Sequence, residues 1–132
     1  MESFSTGSRR DSRDGKGRYD LIPWAVISQL SKRFETGASL YGDRNWEKGQ
    51  PLGRYLDSAL RHLFQFLEGE INEDHGIASI WNLIALMATL QKIKDGELPV
   101  SLDDLDILRK QKSKYSTEVT EVAEVTASSS PS

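Results

Sequence analysis

Residues 52–94 read LGRYLDSALRHLFQFLEGEINEDHGIASIWNLIALMATLQKIK. Leu56, Ala59, Leu60, Leu63, Phe66 and Leu67 recur at the three- and four-residue steps that line one face of an α-helix, and Gly69 supplies a C-terminal stop. A polar connector, EINEDHG, follows at 70–76. From about Ile77 to Lys94 a second helix is apolar on nearly all sides, through Ile80, Trp81, Leu83, Ile84, Leu86, Met87 and Leu90. A helix without a polar face is buried by neighbours around most of its circumference, and in so small a chain this predicts a core completed by another copy. The short connector implies that the two helices lie antiparallel.

Working outward, Pro23 suits the first turn of a helix, where its missing N–H costs nothing, and Val26, Ile27, Leu30 and Phe34 continue one face to about Leu40. The following YGDRNWEKGQP, residues 41–51, is punctuated by Gly42, Gly49 and Pro51 and reads as a loop whose Trp46 packs underneath. Downstream, SLDDLDILRKQK begins with a Ser101-to-Asp104 spacing that suits an N-cap, and Leu102, Leu105 and Leu108 predict a short last helix. No strand pair or internal repeat is convincing. The predicted fold class is therefore all-α, a short-looped helical bundle.

The ends read differently. Residues 1–15 are Ser, Gly, Arg and Asp with Phe4 as the one large apolar residue, too little to offset ordering entropy, so a disordered arm is expected. From Lys112 to Ser132 the chain passes through Thr-Glu-Val repeats into small polar residues, expected to form a flexible tail. Residues 16–111 remain as the folded domain. A length of 132 residues suits one domain with one core. With 17 basic against 20 acidic side chains and a net charge of −3, there is no electrostatic footprint for duplex nucleic acid or an anionic membrane. The absence of cysteine excludes disulfide scaffolds, thiolate zinc sites and cysteine nucleophiles. The first twenty residues lack a signal-peptide h-region, and the longest apolar run, Ile80 to Leu90, is broken by Asn82 and Thr89. A cytoplasmic location is expected.

Four groups of residues are candidates for chemistry. Arg54, Asp57 and Arg61 share a helix face, with Glu35 on the preceding helix and His62 and Glu68 beside them; the plainer reading is a solvated salt-bridged stripe. Glu68, Glu70, Glu73 and Asp74, with His75, bunch between the two central helices, and such carboxylates repel one another unless they share a cation such as Mg²⁺ or Mn²⁺. Asn82 is an amide embedded in SIWNLIALMATL and needs partners, with His62 a candidate across the antiparallel pair. GKGRYDLIPW could fold over the phosphates and base of a nucleotide. No Walker loop, dinucleotide glycine motif, HExxH pair or serine elbow is present.

RYDLIP at 18–23, GASLYGDRNW at 37–46, LRHLFQFLEG at 60–69 with Glu70, and the second central helix together resemble a phage family of dATP/dGTP pyrophosphohydrolases with the all-helical MazG-like architecture. The similarity runs from about Gly17 to Leu90, and the chain resembles the MazZ-type branch of phages that replace adenine by 2-aminoadenine. The resemblance implies cleavage between the α- and β-phosphates of dGTP and dATP, giving the monophosphate and pyrophosphate. It also implies divalent cations held by carboxylates on adjoining helices, supply of dGMP for purine synthesis, and a homodimer or homotetramer.

Broader MazG-like enzymes carry an ExxE pair on one helix and an ExxD pair on the next, but the corresponding positions here fall near Ala59 and His62 and near Ser79 and Asn82. The ligand set carried over from the resemblance is Glu35, Asp57, Glu70 and Asp74. Glu35 and Asp57 flank the NWEKG loop, and the other two lie where the first central helix ends. Glu35, Asp57, His62 and Glu70 are the expected catalytic residues. Lys16, Arg18 and Asp20 are expected to close over the nucleotide, and Arg44, Asn45, Trp46, Lys48, Arg61 and Asn82 to contact it. The alternative reading is a non-catalytic helical adaptor or nucleotide-binding protein.

Overall fold

The structure, a computed structural model, describes residues 1–114. Three long helices carry the fold: α1 (Trp24–Tyr41), α2 (Leu52–Leu67) and α3 (His75–Lys94). A fourth, α4, begins at residue 107 and continues to 114. Tight single turns occupy Tyr19–Leu21, Asn45–Lys48 and Val100–Leu102. The predicted all-α class holds.

Helices α2 and α3 form an antiparallel hairpin. At the connector end His62 meets His75, in the middle Ser79 Oγ donates to the Ala59 carbonyl, and at the far end Leu52 and Tyr55 cluster with Ala85, Leu86 and Ile93. Trp46, Leu98, Leu102, Leu105, Ile107 and Leu108 pack against that cluster, so the loop before α2 and the segment after α3 close the same end of the molecule. Helix α1 lies on α3. Trp46 packs as its sequence setting predicted, with its ring 6.3 Å from Phe34, which in turn lies 5.9 Å from Trp81.

Several expectations need correction. Residues 2–10 make a small hairpin where no strand pair was expected: β1 (Glu2–Ser3) pairs antiparallel with β2 (Arg9–Arg10), and Gly7 at φ 89° takes the turn. All of its residues are exposed, so backbone bonding rather than burial shapes it. The face that α2 turns inward is not its greasiest. Leu52, Tyr55, Ala59 and His62 are buried, whereas Leu60, Leu63, Phe66 and Leu67 are 40–69% exposed. The polar His62 finds partners inside, and the apolar stripe is left outward. Likewise α3 is not covered all round, since Ile80, Leu83 and Met87 stay exposed.

Although long and apolar enough to cross a membrane, α3 holds His75, Ser79, Asn82 and Thr89 buried, the pattern of a core helix with polar contacts to make. Its start is two residues earlier than predicted because Asp74 caps it, accepting from the Ile77 N–H at 3.2 Å. Ser101 caps nothing. It lies within a single turn, and Asp103 caps α4 instead, its two oxygens accepting from the Ile107 and Leu108 N–H groups at 2.9 Å. Lys112 to Lys114 continue α4, and the remainder of the expected tail lies outside the described residues.

Candidate functional site

A cavity of about 900 Å³ opens between the second half of α1, the loop before α2, the outer turns of α2 and the start of α3. Its lining is chemically sorted. Arg33, Arg44, Arg54 and Arg61 supply four guanidinium groups, and Phe34, Tyr41, Trp46, Tyr55 and Trp81 supply rings. Asn45, Gln50 and Asn82 supply amides, and His62 and Glu73 complete one wall. The buried Trp81 indole N–H in this lining has no partner, a donor left for an acceptor to satisfy.

Local chain geometry places these groups. Gly42 at φ 94° and Gly49 at φ 100° bracket the loop carrying Asn45 and Trp46. A Cβ on Gly49 would meet Leu102 Cδ1 at 2.9 Å, so the loop lies too close to the closing segment for any side chain there. Arg44 sits in the left-handed region at φ 58°, a strained backbone for arginine, and its guanidinium holds Glu47 at 2.8 Å. The Tyr55 hydroxyl donates to the Trp46 carbonyl at 3.3 Å, and burial raises its pKa above the usual phenol value.

Next to this wall lies a cluster of donors. His62 Nδ1 and His75 Nδ1 are 2.9 Å apart, and Glu73 Oε1 is 3.3 Å from the first and 3.8 Å from the second. Both imidazoles are buried, while Glu73 is 40% exposed and has Arg33 at 3.7 Å. His75 Nε2 bonds the Asn72 Oδ1 at 2.9 Å; since a carbonyl oxygen only accepts, Nε2 carries the proton and His75 presents a lone pair at Nδ1. His62 Nδ1–H therefore donates to His75. Burial lowers the pKa of His62 below the ordinary histidine value; Glu73 opposes this, and Arg33, Arg61 and His75 add to it. Two imidazoles and one carboxylate are ligand types that divalent cations accept, manganese more readily than magnesium.

The structure brings His62, Arg44, Asn45, Trp46, Arg61 and Asn82 into the cavity lining. Glu70 is near the cluster, 3.8 Å from His75 Nε2. Asn82, however, pairs with the Ala78 carbonyl at 2.8 Å and not with His62. Elsewhere, Glu35 and Lys48 are exposed outside the lining, Asp57 is exposed and pairs with Arg61 at 3.5 Å, and Asp74 is engaged as a cap. Lys16 is exposed near the N-terminal turn, and Arg18 and Asp20 pair with each other at 2.8 Å. That pairing lowers the Asp20 pKa and raises that of Arg18.

Sequence reasoning passed over Arg33 and Arg54 as ligand contacts, and grouped Glu73 and His75 with the acids of a possible cation site but left them out of its ligand set. The readable signal for the last two was the cap: Asp74 starts α3, so His75 opens its first turn facing back along α2. Ala59, His62, Ser79 and Asn82, near which the resemblance set the carboxylates of broader relatives, are all buried and spend their polar atoms on the α2–α3 contact, the donor cluster and the α3 backbone.

Fold and site together define a small all-helical protein that gathers cations, rings and a histidine–carboxylate group around one cleft, as a protein handling an anionic, ring-bearing ligand does. The family model described as dATP/dGTP diphosphohydrolase, N-terminal, matches residues 6–97, and the chain belongs to that family of hydrolases. The matched span contains every residue of the cavity lining. No curated protein and no solved structure gives a match.

Proposed function

We propose that this chain hydrolyses dATP and dGTP between the α- and β-phosphates, releasing the nucleoside monophosphate and pyrophosphate at the cavity between α1, α2 and α3. The observation that carries this reading is the gathering of four arginines and five aromatic rings in one lining, beside the His62–Glu73–His75 cluster. Guanidinium groups bind phosphate oxygens in pairs, which holds the triphosphate in register and offsets the charge that builds up as the bridging bond breaks. Trp46 and Phe34 offer faces on which a purine stacks, and Asn45 and Gln50 offer amides that both donate and accept along a base edge. Glu73 is the carboxylate that takes the proton from the attacking water, with the Arg33 guanidinium 3.7 Å away. A divalent cation, Mg²⁺ or Mn²⁺ on the family resemblance, would supply Lewis-acid charge when bound; of the two, manganese suits the imidazoles of His62 and His75, which with Glu73 would hold it.

Two finer parts of the reading rest on other support. We place the dGMP product in the supply of phage 2-aminoadenine nucleotide synthesis, on the resemblance of the RYDLIP, GASLYGDRNW and LRHLFQFLEG segments. We also propose a homodimer or homotetramer, because Leu60, Leu63, Phe64 and Leu67 on α2 and Ile80, Leu83 and Met87 on α3 are exposed as two apolar stripes.

Pyrophosphate and monophosphate release from a panel of dNTPs and NTPs, with Mg²⁺, with Mn²⁺ and with chelator, tests the reaction. Cation-dependent dGMP or dAMP is expected. Nucleotide that raises the Tm but is never turned over would replace the enzyme by a nucleotide-binding protein. Glu73→Gln is expected to lower kcat about 100-fold or more, whereas Asp57→Asn, on the exposed face, should stay near the parent rate.

A further inference from the structure

We propose that His62, Glu73 and His75 form a resident site for a first-row transition cation of the zinc and cobalt type, a site that magnesium fills poorly. The inference rests on the reading above that these three residues hold a divalent cation, and names the kind of ion they select.

The spacing fits one cation. Donor atoms about 2.1 Å from a metal lie about 3.0 Å apart in octahedral and about 3.4 Å apart in tetrahedral arrangement. The three observed separations, 2.9, 3.3 and 3.8 Å, bracket those edges. A cation therefore enters with the side chains close to where they already stand.

The protonation pattern fits as well. Asn72 accepts from His75 Nε2 at 2.9 Å, and this fixes the ring with its Nδ1 lone pair toward His62 and Glu73. A hydrogen bond from the remote ring nitrogen to a protein oxygen is the supporting contact that metal-bound histidines make. Without a cation, one proton on His62 Nδ1 fills the space that the lone pairs of His75 and Glu73 converge on. The His75 side chain is 2% exposed and that of His62 11%, so water reaches the cluster mainly from the Glu73 side.

The ligand types set the preference. Two imidazole nitrogens and one carboxylate oxygen follow the order in which zinc and cobalt bind more tightly than manganese, while magnesium keeps to oxygen and sheds water reluctantly. Because the donors come from the last turns of α2, the connector and the first residue of α3, a bound cation ties the two helices together at the connector end of the hairpin.

The test uses the full chain, stripped with chelator and without nucleotide. Titration with Co²⁺ should give visible ligand-field absorption from nitrogen coordination at one ion per chain, and Zn²⁺ should displace it. Zn²⁺ and Co²⁺ should raise the Tm, and Mg²⁺ at the same concentration should not. Asn72→Ala removes only the supporting oxygen and should weaken Co²⁺ binding about 10- to 100-fold; Glu73→Gln, at a half-exposed position, should weaken it at least as much. Should Co²⁺ keep the spectrum of its aqua ion in the parent protein, or Mg²⁺ raise the Tm equally, the cluster is a buried histidine pair and the proposal fails. Parent-like Co²⁺ affinity in both variants overturns it too. Loss of nucleotide turnover with these signals intact would count only against the hydrolase reading.

Discussion

His62 shows how a single residue carries two demands. Its burial holds the imidazole pKa below the ordinary histidine value of 6.5, so the folded chain resists a proton that the unfolded chain accepts. Stability from this group is complete above that pH and drains away as the pH falls toward the folded value. Urea midpoints of chelator-treated protein should therefore drop between roughly pH 7 and pH 5, and a His62→Gln variant should show a shallower drop. Gly53 carries a different demand. Its N–H donates to Asp104 Oδ1 at 2.8 Å, and a Cβ would sit 2.8 Å from Asp104 Oδ2. Gly53→Ala should push away this remote carboxylate cap of α2 and cost about 1 kcal/mol, read as a lower Tm. Neither demand was visible in sequence. His62 could be named from the LRHLF segment, but its partner His75 depended on where α3 begins. The Gly53–Asp104 contact spans 51 positions, beyond any local pattern.

At the scale of elements, helices were legible and their rotation was not. Spacing placed α1, α2 and α3 to within a residue or two, because apolar steps of three and four persist through each. It assigned the core face of α2 to leucines and phenylalanines, and the fold turned Tyr55 and His62 inward instead. Periodicity reports which residues share a face, but which face is buried depends on the polar partners waiting on α3 and the connector. The last helix shows the same limit: the Ser101-to-Asp104 spacing pointed to a cap at Ser101, whereas Asp103 caps α4 and Leu102 and Leu105 pack against the core. Asp103→Ala should lower stability by about 1 kcal/mol, with Ser101→Ala nearly silent. Thermal melts of the two variants check this directly.

For the whole molecule, the outward stripes on α2 and α3 predict that charge placed there changes assembly and leaves the fold intact. A Leu63→Lys and Leu83→Lys double variant should keep its helical circular dichroism and shift to the monomer in sedimentation equilibrium. An unchanged mass would show that these stripes do not pair copies. Part of the cavity lining was legible, Arg44, Asn45, Trp46, Arg61, His62 and Asn82, because those residue types suit an anionic, ring-bearing ligand. Its assembly was not, because the lining draws on three helices and a loop that only tertiary contacts bring together. The donor cluster is the exception, since His62, Glu73 and His75 lie within one short stretch of chain around a single hairpin. Closing so short a loop is fast compared with docking a distant helix, so the cluster can assemble early in folding while the α1 wall is still absent. Zn²⁺ added to refolding protein should then accelerate the hairpin phase seen by stopped-flow fluorescence, making the ion a guide to the folding route as well as an occupant of its end point.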